Sequence, residues 1–388
     1  MTAVAAPVHP VQELVLDAMS ARTPLRISGR SHWIDAGRPV DATRIASLAT
    51  HTGVVDYVPG DLTITVRSGT TLRQIEEVTR QNNQWLPLDP FGSPDGTIGA
   101  TIATGSFGPL AHAFGRARDL VLGLEFVSGD GKLARGGGKV VKNVAGFDLV
   151  RLMTGSWGTL GIITEATLRL YSAPEQSVTL ALGAPERVTA LTQRLNAVLG
   201  ALGIPFAVEL VDPDTAVALG LPDKQQILVR LAGNSAAVLA QRSAISGLGG
   251  VRDLDPAVWN RLRHLEDTIR SASPDNEPPI VLRISSLPQN LAHVWNSVRN
   301  VVSGIAGSAL HATPSLGIVR CILPASTPIS SVELLLNWEN VTVIFERLHS
   351  TEWTRLAPSA VDDRLSRRLK AAFDPSGILN PGILGGEA

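Results

Sequence analysis

Glycine is concentrated in one part of this sequence, and that concentration restricts what the part can form. Sixteen of the 36 glycines lie among the 70 residues from Gly92 to Gly161, where the usual frequency of about 7% would give roughly five. Glycine lets a backbone turn sharply and approach a ligand or another segment closely. We therefore expect this stretch to be built from loops that make close approaches.

The length, charge and cysteine content exclude several classes of protein. At 388 residues the chain is too long for one ordinary core, so two domains are expected, with or without a returning tail. A formal net charge of −1 gives no surplus of Lys and Arg for binding nucleic acid. The single cysteine, Cys321, cannot form an intrachain disulfide, a thiolate zinc site or a cysteine-ligated iron–sulfur cluster. No metal site is predicted.

Nothing in the sequence predicts direct insertion into a membrane. The N-terminal segment has no positively charged start followed by an apolar run, and no later segment reaches the roughly 18 apolar residues of a spanning helix. We expect a cytoplasmic protein that reaches the inner face of a membrane only through partner subunits.

Residues 1–172 have the pattern of a first domain that contains both strands and helices. Residues 54–58 and 62–66 are strand-like and are separated by a turn signal, which predicts a hairpin. Thr71 and Gln74 have capping-box spacing, which predicts the start of a helix. The further elements predicted here are helices at 11–19 and 147–153 and strands at 25–27, 120–128 and 162–170.

The remaining sequence divides into a second domain and a tail. Over residues 173–355 the glycine content is ordinary and strands alternate with helices, which predicts an α+β domain. Strands are predicted at 177–182, 206–211, 226–232, 279–285, 316–323 and 341–347, and helices at 186–199, 235–246, 256–271 and 289–303. Residues 356–388 are predicted to form a helix at 362–373 and a Pro- and Gly-rich loop, of a kind that often returns to an active site.

Three glycine-bearing loops of the first domain are suited to binding a pyrophosphate. No Gly-x-Gly-x-x-Gly follows the first strand, and the Gly-Lys pairs lack the spacing of a Walker loop. Several separate loops can instead aim backbone N–H groups at the anion, each hydrogen bond contributing roughly 1.5–3 kcal/mol. The loops are 28–32, 96–106 and 158–162. The alternative is that they are only the tight turns of a glycine-rich sheet.

Together with the tail, these loops resemble the vanillyl-alcohol oxidase type of FAD-binding fold, the family of FAD-linked oxidases with a PCMH-type FAD-binding domain. Within the family the resemblance is greatest to the FAD-binding subunits of bacterial glycolate oxidases. The segments that carry it are Ser28-Gly29-Arg30-Ser31, Thr97-Ile98-Gly99, Val140-Val141-Lys142-Asn143-Val144-Ala145-Gly146-Phe147-Asp148-Leu149, Gly158-Thr159-Leu160-Gly161-Ile162 and Asn380-Pro381-Gly382. The resemblance implies an α+β fold in which two α+β subdomains hold FAD and an α+β cap domain covers the flavin ring.

The resemblance also implies which residues contact the cofactor, a non-covalently bound FAD. They are Ser28, Gly29, Arg30, Ser31, His32, Pro90, Gly96, Thr97, Gly99, Ala100, Thr104, Ser106, Asp119, Gly158, Gly161, Ile162 and Asn380. In the first loop Ser28 and Arg30 replace glycines of the family pattern, so a tighter or charge-assisted contact with the pyrophosphate is assumed. Ala100 stands where a second glycine is common and should fit if its φ angle is negative. His32 is expected to be an ordinary exposed residue, because Ser31 occupies the place of covalent attachment.

Catalytic residues are harder to predict. The resemblance implies that relatives which dehydrogenate 2-hydroxy acids carry a histidine-rich metal cluster in the cap, where the substrate hydroxyl is polarised and deprotonated. Here the cap histidines are widely separated and are expected to be surface or satisfied core residues: His264, His293, His311 and His349. Arg283 and Arg320 could hold a carboxylate or pair with nearby acids. Asn380 could hydrogen-bond the flavin or cap a turn.

As for function, the resemblance implies the FAD-binding subunit of a glycolate (2-hydroxy acid) oxidase or dehydrogenase complex. Glycolate would be oxidised to glyoxylate, and electrons would pass via the flavin to an iron–sulfur partner subunit, alongside a second FAD-binding subunit. Two alternatives remain. One is a stand-alone FAD-dependent alcohol or hydroxy acid oxidase, and the other is a non-catalytic scaffold subunit that binds flavin weakly or not at all.

Overall fold

The computed structural model describes residues 9–138, 147–201, 203–336 and 338–386. Within these ranges the strands form sheets of two, eight, five and two strands, with helices packed on them, which confirms the predicted α+β class. Residues 140–146 of the longest family motif lie outside the described ranges. In the parts of the chain that the structure describes, no helix combines the length and the apolar content needed to cross a bilayer.

The first part of the chain contains the elements that surround the predicted cofactor loops. Its helices are α1 (Pro10–Ala21), α2 (Leu72–Arg80), α3 (Ile98–Thr104), α4 (Ala111–Phe114), α5 (Ala117–Leu120) and α6 (Leu149–Met153). Its strands are β1 (Leu25–Ser28), β2 (Arg44–Ser47), β3 (Val54–Val58), β4 (Thr63–Arg67), β5 (Gln84–Trp85), β6 (Val121–Val127), β7 (Leu133–Gly137), β8 (Ile162–Arg169) and β9 (Tyr171–Ser172).

Local sequence signals account for several of these elements. The predicted capping box forms at the start of α2, where the Gln74 amide donates to Thr71 Oγ1 and the Thr71 amide donates to Gln74 Oε1. The predicted hairpin forms as β3 and β4, which pair antiparallel with Tyr57 opposite Ile64. Because successive side chains of β4 point to opposite faces of the sheet, Ile64 and Val66 are buried together on one face.

Two separate cores lie in this first part. One core is built from α1, β1 and β2, and it includes Leu25 and Ala46 of the parallel pair β1–β2. The other lies between α2, α3, α5 and α6 and the sheet of order β3-β4-β8-β6-β7. The two cores correspond to the two α+β subdomains that the resemblance implies, and the predicted cofactor loops run between them.

The second part of the chain forms one eight-stranded antiparallel sheet of order β13-β10-β12-β11-β15-β16-β14-β17. Its strands are β10 (Gln176–Gly183), β11 (Ala207–Val211), β12 (Gln226–Gly233), β13 (Val251–Leu254), β14 (Ile280–Ser285), β15 (Ala309–Thr313), β16 (Ile318–Leu323) and β17 (Thr342–Arg347). Its helices are α7 (Val188–Leu199), α8 (Pro213–Ala218), α9 (Ser235–Ser246), α10 (Ala257–Arg263), α11 (Leu265–Ala272), α12 (Leu291–Val302), α13 (Ile329–Glu333) and α14 (Trp353–Leu356).

The register of this sheet places three polar residues side by side. Arg283 on β14 lies opposite Arg320 on β16, and Arg320 lies opposite His311 on β15. Residues that are directly opposite on neighbouring strands share a face of the sheet. The other face of the sheet packs against α7, α9 and α12, so the polar residues are on the face that carries α8, α10 and α11.

The tail returns to the first part of the chain. Its helix, α15 (Arg364–Phe373), is followed by a segment that runs parallel to β1, where the Leu25 amide donates to Ile378 O at 2.7 Å. Lys370 on α15 donates to Thr159 O and to Leu379 O at 2.9 and 3.0 Å. These bonds fix the tail beside the loop at 158–162.

Several predicted boundaries were wrong. The predicted loop at 96–106 contains α3, which begins after Thr97 because the Thr97 hydroxyl accepts from the Ala100 amide. The single helix predicted at 256–271 is two helices that meet at His264. The strand predicted at 316–323 begins only at Ile318. Strands β2, β7, β13 and β15 were not predicted at all.

Candidate functional site

A cleft of about 1040 Å³, including its open mouth, lies where the predicted cofactor loops meet the tail. The predicted cofactor contacts that line it are Ser28, Gly29, Arg30, Ser31, His32, Pro90, Gly96, Thr97, Gly99, Ala100, Thr104, Ser106, Gly158, Gly161 and Asn380. Residues that the sequence analysis did not select also line it, among them Trp33, Phe91, Trp157 and Ser68. The structure therefore brings segments from distant parts of the sequence to one surface.

Two of the predicted contacts do not line this cleft. Asp119 caps α5, where its carboxylate accepts from the Arg116 amide at 2.8 Å. Ile162 is the first residue of β8 and is completely buried in the core that α1, β1 and β2 form. The Asp119 carboxylate is engaged in capping a helix, and the Ile162 side chain points into a core.

The first loop, residues 28–32, follows β1 and packs closely on the second. A Cβ atom on Gly29 would lie only 2.3 Å from Thr97 Oγ1, so this position requires glycine. The hydroxyls of Ser28 and Ser31 are 2.9 Å apart, and Ser31 has a positive φ of 62°. Within the described residues, the amides of 29–32 donate to no protein acceptor. They are therefore available to an anion in the cleft.

The second loop does not supply the N–H groups that the sequence analysis assigned to it. The Gly99 amide donates to Ser68 O and the Ile98 amide donates to Thr70 O, at 2.8 and 2.9 Å. Gly99 is required for packing, because a Cβ atom there would lie 2.6 Å from the Cβ of Ser68. Ala100 lies within α3 and has no positive φ, so its methyl group is accommodated as expected.

The third loop and the tail are joined through the side chain of Asn380. This side chain is 3% exposed; its Oδ1 accepts from the Ile27 amide at 2.8 Å and its Nδ2 donates to Trp157 O at 2.6 Å. Gly158, with φ of 72°, passes so close that a Cβ atom would lie 3.0 Å from Asn380 Nδ2. Asn380 thus connects β1, the third loop and the tail at the floor of the cleft.

The cleft fits an anionic, aromatic dinucleotide such as FAD. Ser68 is one of the residues that line the cleft, and its Oγ is buried with no hydrogen-bond partner among the described residues, so it is a donor that a ligand could satisfy. The unpaired amides of the first loop and the exposed Arg30 suit a pyrophosphate. The rings of Trp33 and Trp157 add flat apolar walls, as aromatic ligands require.

A second, smaller recess of about 270 Å³, a volume that includes its opening to solvent, lies between the polar face of the eight-stranded sheet and the first part of the chain. Phe91 lines both this cavity and the large cleft, so the two are neighbours. Arg283, Arg320 and His311 all line the small cavity, which places the two predicted carboxylate-binding arginines together. The structure does not bring Asn380 to it.

The two arginines differ in how fully they are paired. Arg320 is buried and donates to Glu346 Oε2 at 2.7 Å and also to Glu266. Although burial lowers the pKa of Arg320, the two carboxylates raise it above its ordinary value. Among the described residues, Arg283 makes one ion pair, at 3.6 Å to Glu346 Oε1, whose carboxylate Arg320 shares, and it also lies over the ring of Phe107. Arg283 is therefore the cation with capacity for a further anion.

The four cap histidines lie in different surroundings. His264 Nδ1 is 2.8 Å from Asn260 O, His349 Nε2 is 2.8 Å from Ala325 O, and His293 is exposed. His311 is buried, and its Nε2 has no partner among the described residues, so the prediction of a surface or satisfied core histidine was wrong for this residue. The described part of the chain contains no group of three His, Cys, Asp or Glu side chains that could hold a metal ion.

A buried ionic network connects the small cavity to the first loop. Glu266 pairs with Arg320 and with Arg347, and Arg347 also pairs with Asp35, which lies three residues after the first loop. Arg270 adds a 3.0 Å contact to Asp35. Burial lowers the pKa of Arg347 to about 10, which leaves it charged at neutral pH. The network therefore fixes the end of the first loop against the eight-stranded sheet.

Asp89 precedes the loop of Phe91 and carries a shifted pKa. Its carboxylate accepts from the Leu110 amide at 3.1 and 3.3 Å. Burial raises the pKa of Asp89 to about 7, although Arg263 opposes the shift. Because the folded protein then binds a proton that the unfolded chain has released, stability should fall as the pH rises from about 4 to about 7.

An Asp89→Asn variant should remove this pH dependence. We expect the variant to match the native protein near pH 3, below the unfolded pKa, and to be the more stable of the two at pH 8, by at most about 4 kcal/mol. The difference should be smaller than this limit, because Asp89 is only half-buried. Denaturant unfolding at both pH values measures it, with the exposed Asp41→Asn as the control. Equal slopes with pH for the native protein and Asp89→Asn would contradict the assignment.

Comparison with known protein families identifies the class. The fold is an α+β FAD-binding domain of the PCMH type, followed by an antiparallel sheet with helices on both faces. A family model described as "FAD binding domain" matches residues 2–137, and one described as "FAD linked oxidases, C-terminal domain" matches residues 348–384. These two segments of the chain are therefore similar to FAD-linked oxidases with an FAD-binding domain, as the loop motifs implied.

Two relatives are similar to the chain in sequence, and a solved structure is similar to it in fold. The chain is 42% identical to glycolate oxidase subunit GlcE of Escherichia coli (strain K12) over 43% of its length and 48% of that protein's, so the match spans about half of this relative. It is 28% identical to glycolate oxidase subunit GlcD of Bacillus subtilis (strain 168) over 83% of its length and 75% of that protein's. The crystal structure of p-cresol methylhydroxylase superposes with a TM-score of 0.75 at 17% identity, covering 99% of this chain and 88% of that one. This last likeness concerns the fold alone.

Proposed function

We propose that this chain is the FAD-binding subunit of a glycolate (2-hydroxy acid) dehydrogenase complex, in which glycolate is oxidised to glyoxylate. The observation that carries the proposal is the cleft, where free amides of the first loop, Ser68 Oγ and two tryptophans surround a space suited to FAD. The likeness to two glycolate oxidase subunits, GlcE and GlcD, supports the choice of substrate.

The cysteine content supports a role within a complex. Cys321 is the only cysteine and is completely buried on β16, and burial raises the pKa of its thiol above the usual range. One buried thiol cannot hold an iron–sulfur cluster, so such an electron acceptor would lie outside these residues. We propose partners of two kinds, a second FAD-binding subunit and an iron–sulfur subunit, and a cytoplasmic location at the inner face of a membrane through those subunits.

The residues of this chain would hold and orient the cofactor. The amides of 29–32 and Arg30 would bind the pyrophosphate, and Ser68 Oγ would donate to a polar group of the ligand. Asn380, whose polar atoms are engaged with Ile27 and Trp157, would support the cleft floor. When bound, FAD would supply a two-electron acceptor for hydride transfer. Arg283, at the neighbouring cavity, would hold the substrate carboxylate.

The visible spectrum of the purified chain tests this proposal. Oxidised flavin absorbance is expected in the chain alone, and its bleaching by glycolate is expected once the two partner subunits are added. Bleaching without partners would favour the stand-alone oxidase. A colourless chain that still co-purifies with both partners would favour a scaffold subunit. Absence of flavin absorbance with and without partners would rule the proposal out.

A Gly29→Ala variant should weaken the retention of FAD. The added Cβ atom would lie 2.3 Å from Thr97 Oγ1, so the first loop must shift or Thr97 must give up its hydrogen bond from the Ala100 amide. We expect about a tenfold weaker affinity for FAD, which corresponds to about 1.4 kcal/mol. The measurement is FAD titration of the apoprotein. Gly60→Ala is the matched control, because nothing lies within 4 Å of its added Cβ atom.

A further inference from the structure

Trp157 has a backbone conformation that a large side chain rarely adopts. Its φ is 55°, in the left-handed region, where the Cβ atom crowds the neighbouring carbonyl oxygen. Within the described ranges it is the only aromatic residue with a positive φ. Strain of this kind persists only where the surrounding structure enforces it, and it occurs most often at active sites and ligand clamps. The conformation of Trp157 therefore calls for a functional explanation.

Both backbone polar groups of Trp157 are bonded to other segments of the chain. Its amide donates to Ala103 O of α3 at 2.7 Å, and its carbonyl accepts from Asn380 Nδ2 of the tail at 2.6 Å. Gly155 and Gly158, with φ of 81° and 72°, let the chain turn on either side of it. These contacts hold the strained conformation, and they fix the direction in which the side chain leaves the backbone.

The indole ring packs closely against bare backbone. A Cβ atom on Gly37 would lie 2.9 Å from Cζ3 of Trp157 and 3.0 Å from Cγ1 of Ile383, so the ring, the glycine and the tail meet at one point. Gly37 is itself held, because its φ is 75° and its amide donates to Glu346 O of β17 at 2.9 Å. The ring is therefore fixed between the tail and a segment that is bonded to the eight-stranded sheet.

The fixed ring lies in the wall of the large cleft. Trp157 lines it, and so do Ser31 and Asn380, which have positive φ angles of 62° and 42°. Of the eight described residues other than glycine with a positive φ, these three line the cleft. A wall that is already ordered spares a ligand the cost of ordering it. A rigid aromatic face also suits the ring systems of FAD, because offset stacking of aromatic rings is favourable.

We propose that Trp157 is a positioning residue for FAD, because its strained backbone holds the indole ring where it stacks on an aromatic ring system of the bound cofactor. The inference rests on the binding of FAD in this cleft, which is part of the proposed function. FAD carries two such systems, the isoalloxazine and the adenine, and the two lead to different expectations for flavin emission and for the binding of ADP. Trp157 binds and orients the cofactor, and it makes or breaks no bond.

Two substitutions of Trp157 test the contact in the apoprotein. Trp157→Leu removes the aromatic face and should raise the Kd for FAD by about two- to tenfold, whereas Trp157→Phe keeps a smaller face and should lose less. Trp85→Phe is the matched control, since Trp85 stacks on Phe206 and lies outside the cleft, and its Kd should equal that of the native protein. FAD titration measures all three variants. A native Kd in Trp157→Leu would overturn the inference.

The fluorescence of the bound flavin and the binding of ADP distinguish stacking from mere packing of the tail. If the indole stacks on the isoalloxazine, it quenches the flavin, and FAD bound to Trp157→Leu should emit several-fold more light than FAD bound to the native chain. If it stacks on the adenine, flavin emission should stay the same and the Kd for ADP should rise by the factor seen with FAD. Either result supports the proposal. Equal losses of FAD affinity in the Leu and Phe variants, with native flavin emission and native ADP affinity, would show a purely structural role and overturn it.

The native chain supplies a test that needs no variant. Its seven tryptophans give seven indole N–H signals in ¹⁵N NMR, and the ring current of a stacked cofactor should shift the signal of Trp157 when FAD is added. Saturation with FAD that shifts no indole signal would overturn the inference and leave the proposed function standing. Failure of the native chain to bind FAD would overturn both. A Trp157 variant that does not fold therefore leaves the inference open to refutation.

Discussion

An Asn380→Ala variant is expected to lose about 3–8 kcal/mol of folding free energy and to release FAD. The substitution leaves the buried Ile27 amide and Trp157 carbonyl without partners, at about 1–3 kcal/mol each. It also places alanine at a φ of 42°, in the left-handed region, which costs about 1–2 kcal/mol. Denaturant unfolding and the flavin absorbance of the purified variant are the two measurements.

The control for this variant separates backbone strain from lost hydrogen bonds. Asn83 also has a positive φ, 51°, but is exposed. No hydrogen bond from its side chain is found in the described ranges. Asn83→Ala should therefore cost only about 1–2 kcal/mol and keep FAD. Equal losses in the two variants would show that the hydrogen bonds of Asn380 contribute nothing to the cleft.

Elements with strong local signals could be predicted from the sequence. The helix that starts after Thr71 has both halves of its capping box, and the hairpin of β3 and β4 has alternation on one strand and a turn signal between them. Such signals depend on residues that are near in sequence, and the folded protein keeps them. The family motifs predicted the fold because they contain glycines such as Gly29 and Gly158, which are required where two segments of the chain pass closely.

Elements held by distant contacts could not be predicted. The strand β2 has only four residues and exists because it pairs in parallel with β1. The strand β15 carries His311 and Thr313, which are polar and yet buried, so their burial does not follow from residue type. Their partner is Glu209, about a hundred residues earlier in the chain. The spacing of apolar residues and the composition of a segment do not reveal which distant residue it will pair with.

The candidate site was predicted in outline but not in detail. The sequence analysis found the loops but not Trp33, Phe91 or Trp157, since aromatic residues usually indicate a core and nothing local marks a cleft wall. It attributed pyrophosphate binding to N–H groups of the second loop, and two of these are bonded to the turn at residues 68–70. The resemblance also implied a contact at Ile162, whose side chain is buried in a core and does not line the cleft because the alternation of β8 sets its direction.

The ionic network between the first loop and the eight-stranded sheet has consequences for both stability and cofactor retention. In this network Glu266 is buried and pairs with Arg320 and, at 2.8 Å, with Arg347. Arg347 in turn pairs with Asp35, just after the first loop. Removing one member of a buried ionic group leaves its partners with less compensation, which costs up to about 3–5 kcal/mol; here Arg320 would keep Glu346 and Arg347 would keep Asp35.

A Glu266→Gln variant is therefore expected to lose up to about 3–5 kcal/mol of folding free energy, although the side chain keeps its size. We also expect faster release of FAD, because Arg347 would hold the first loop less firmly once its second carboxylate is gone. Denaturant unfolding and the rate of flavin loss on dilution are the measurements. Glu333→Gln, which breaks an exposed 2.7 Å pair with Arg355, is the matched control and should cost less than about 1 kcal/mol. Equal costs for the two variants would mean that burial of the network does not matter for stability. Loss of stability without faster flavin release would mean that the network stabilises the fold but does not position the cofactor loop.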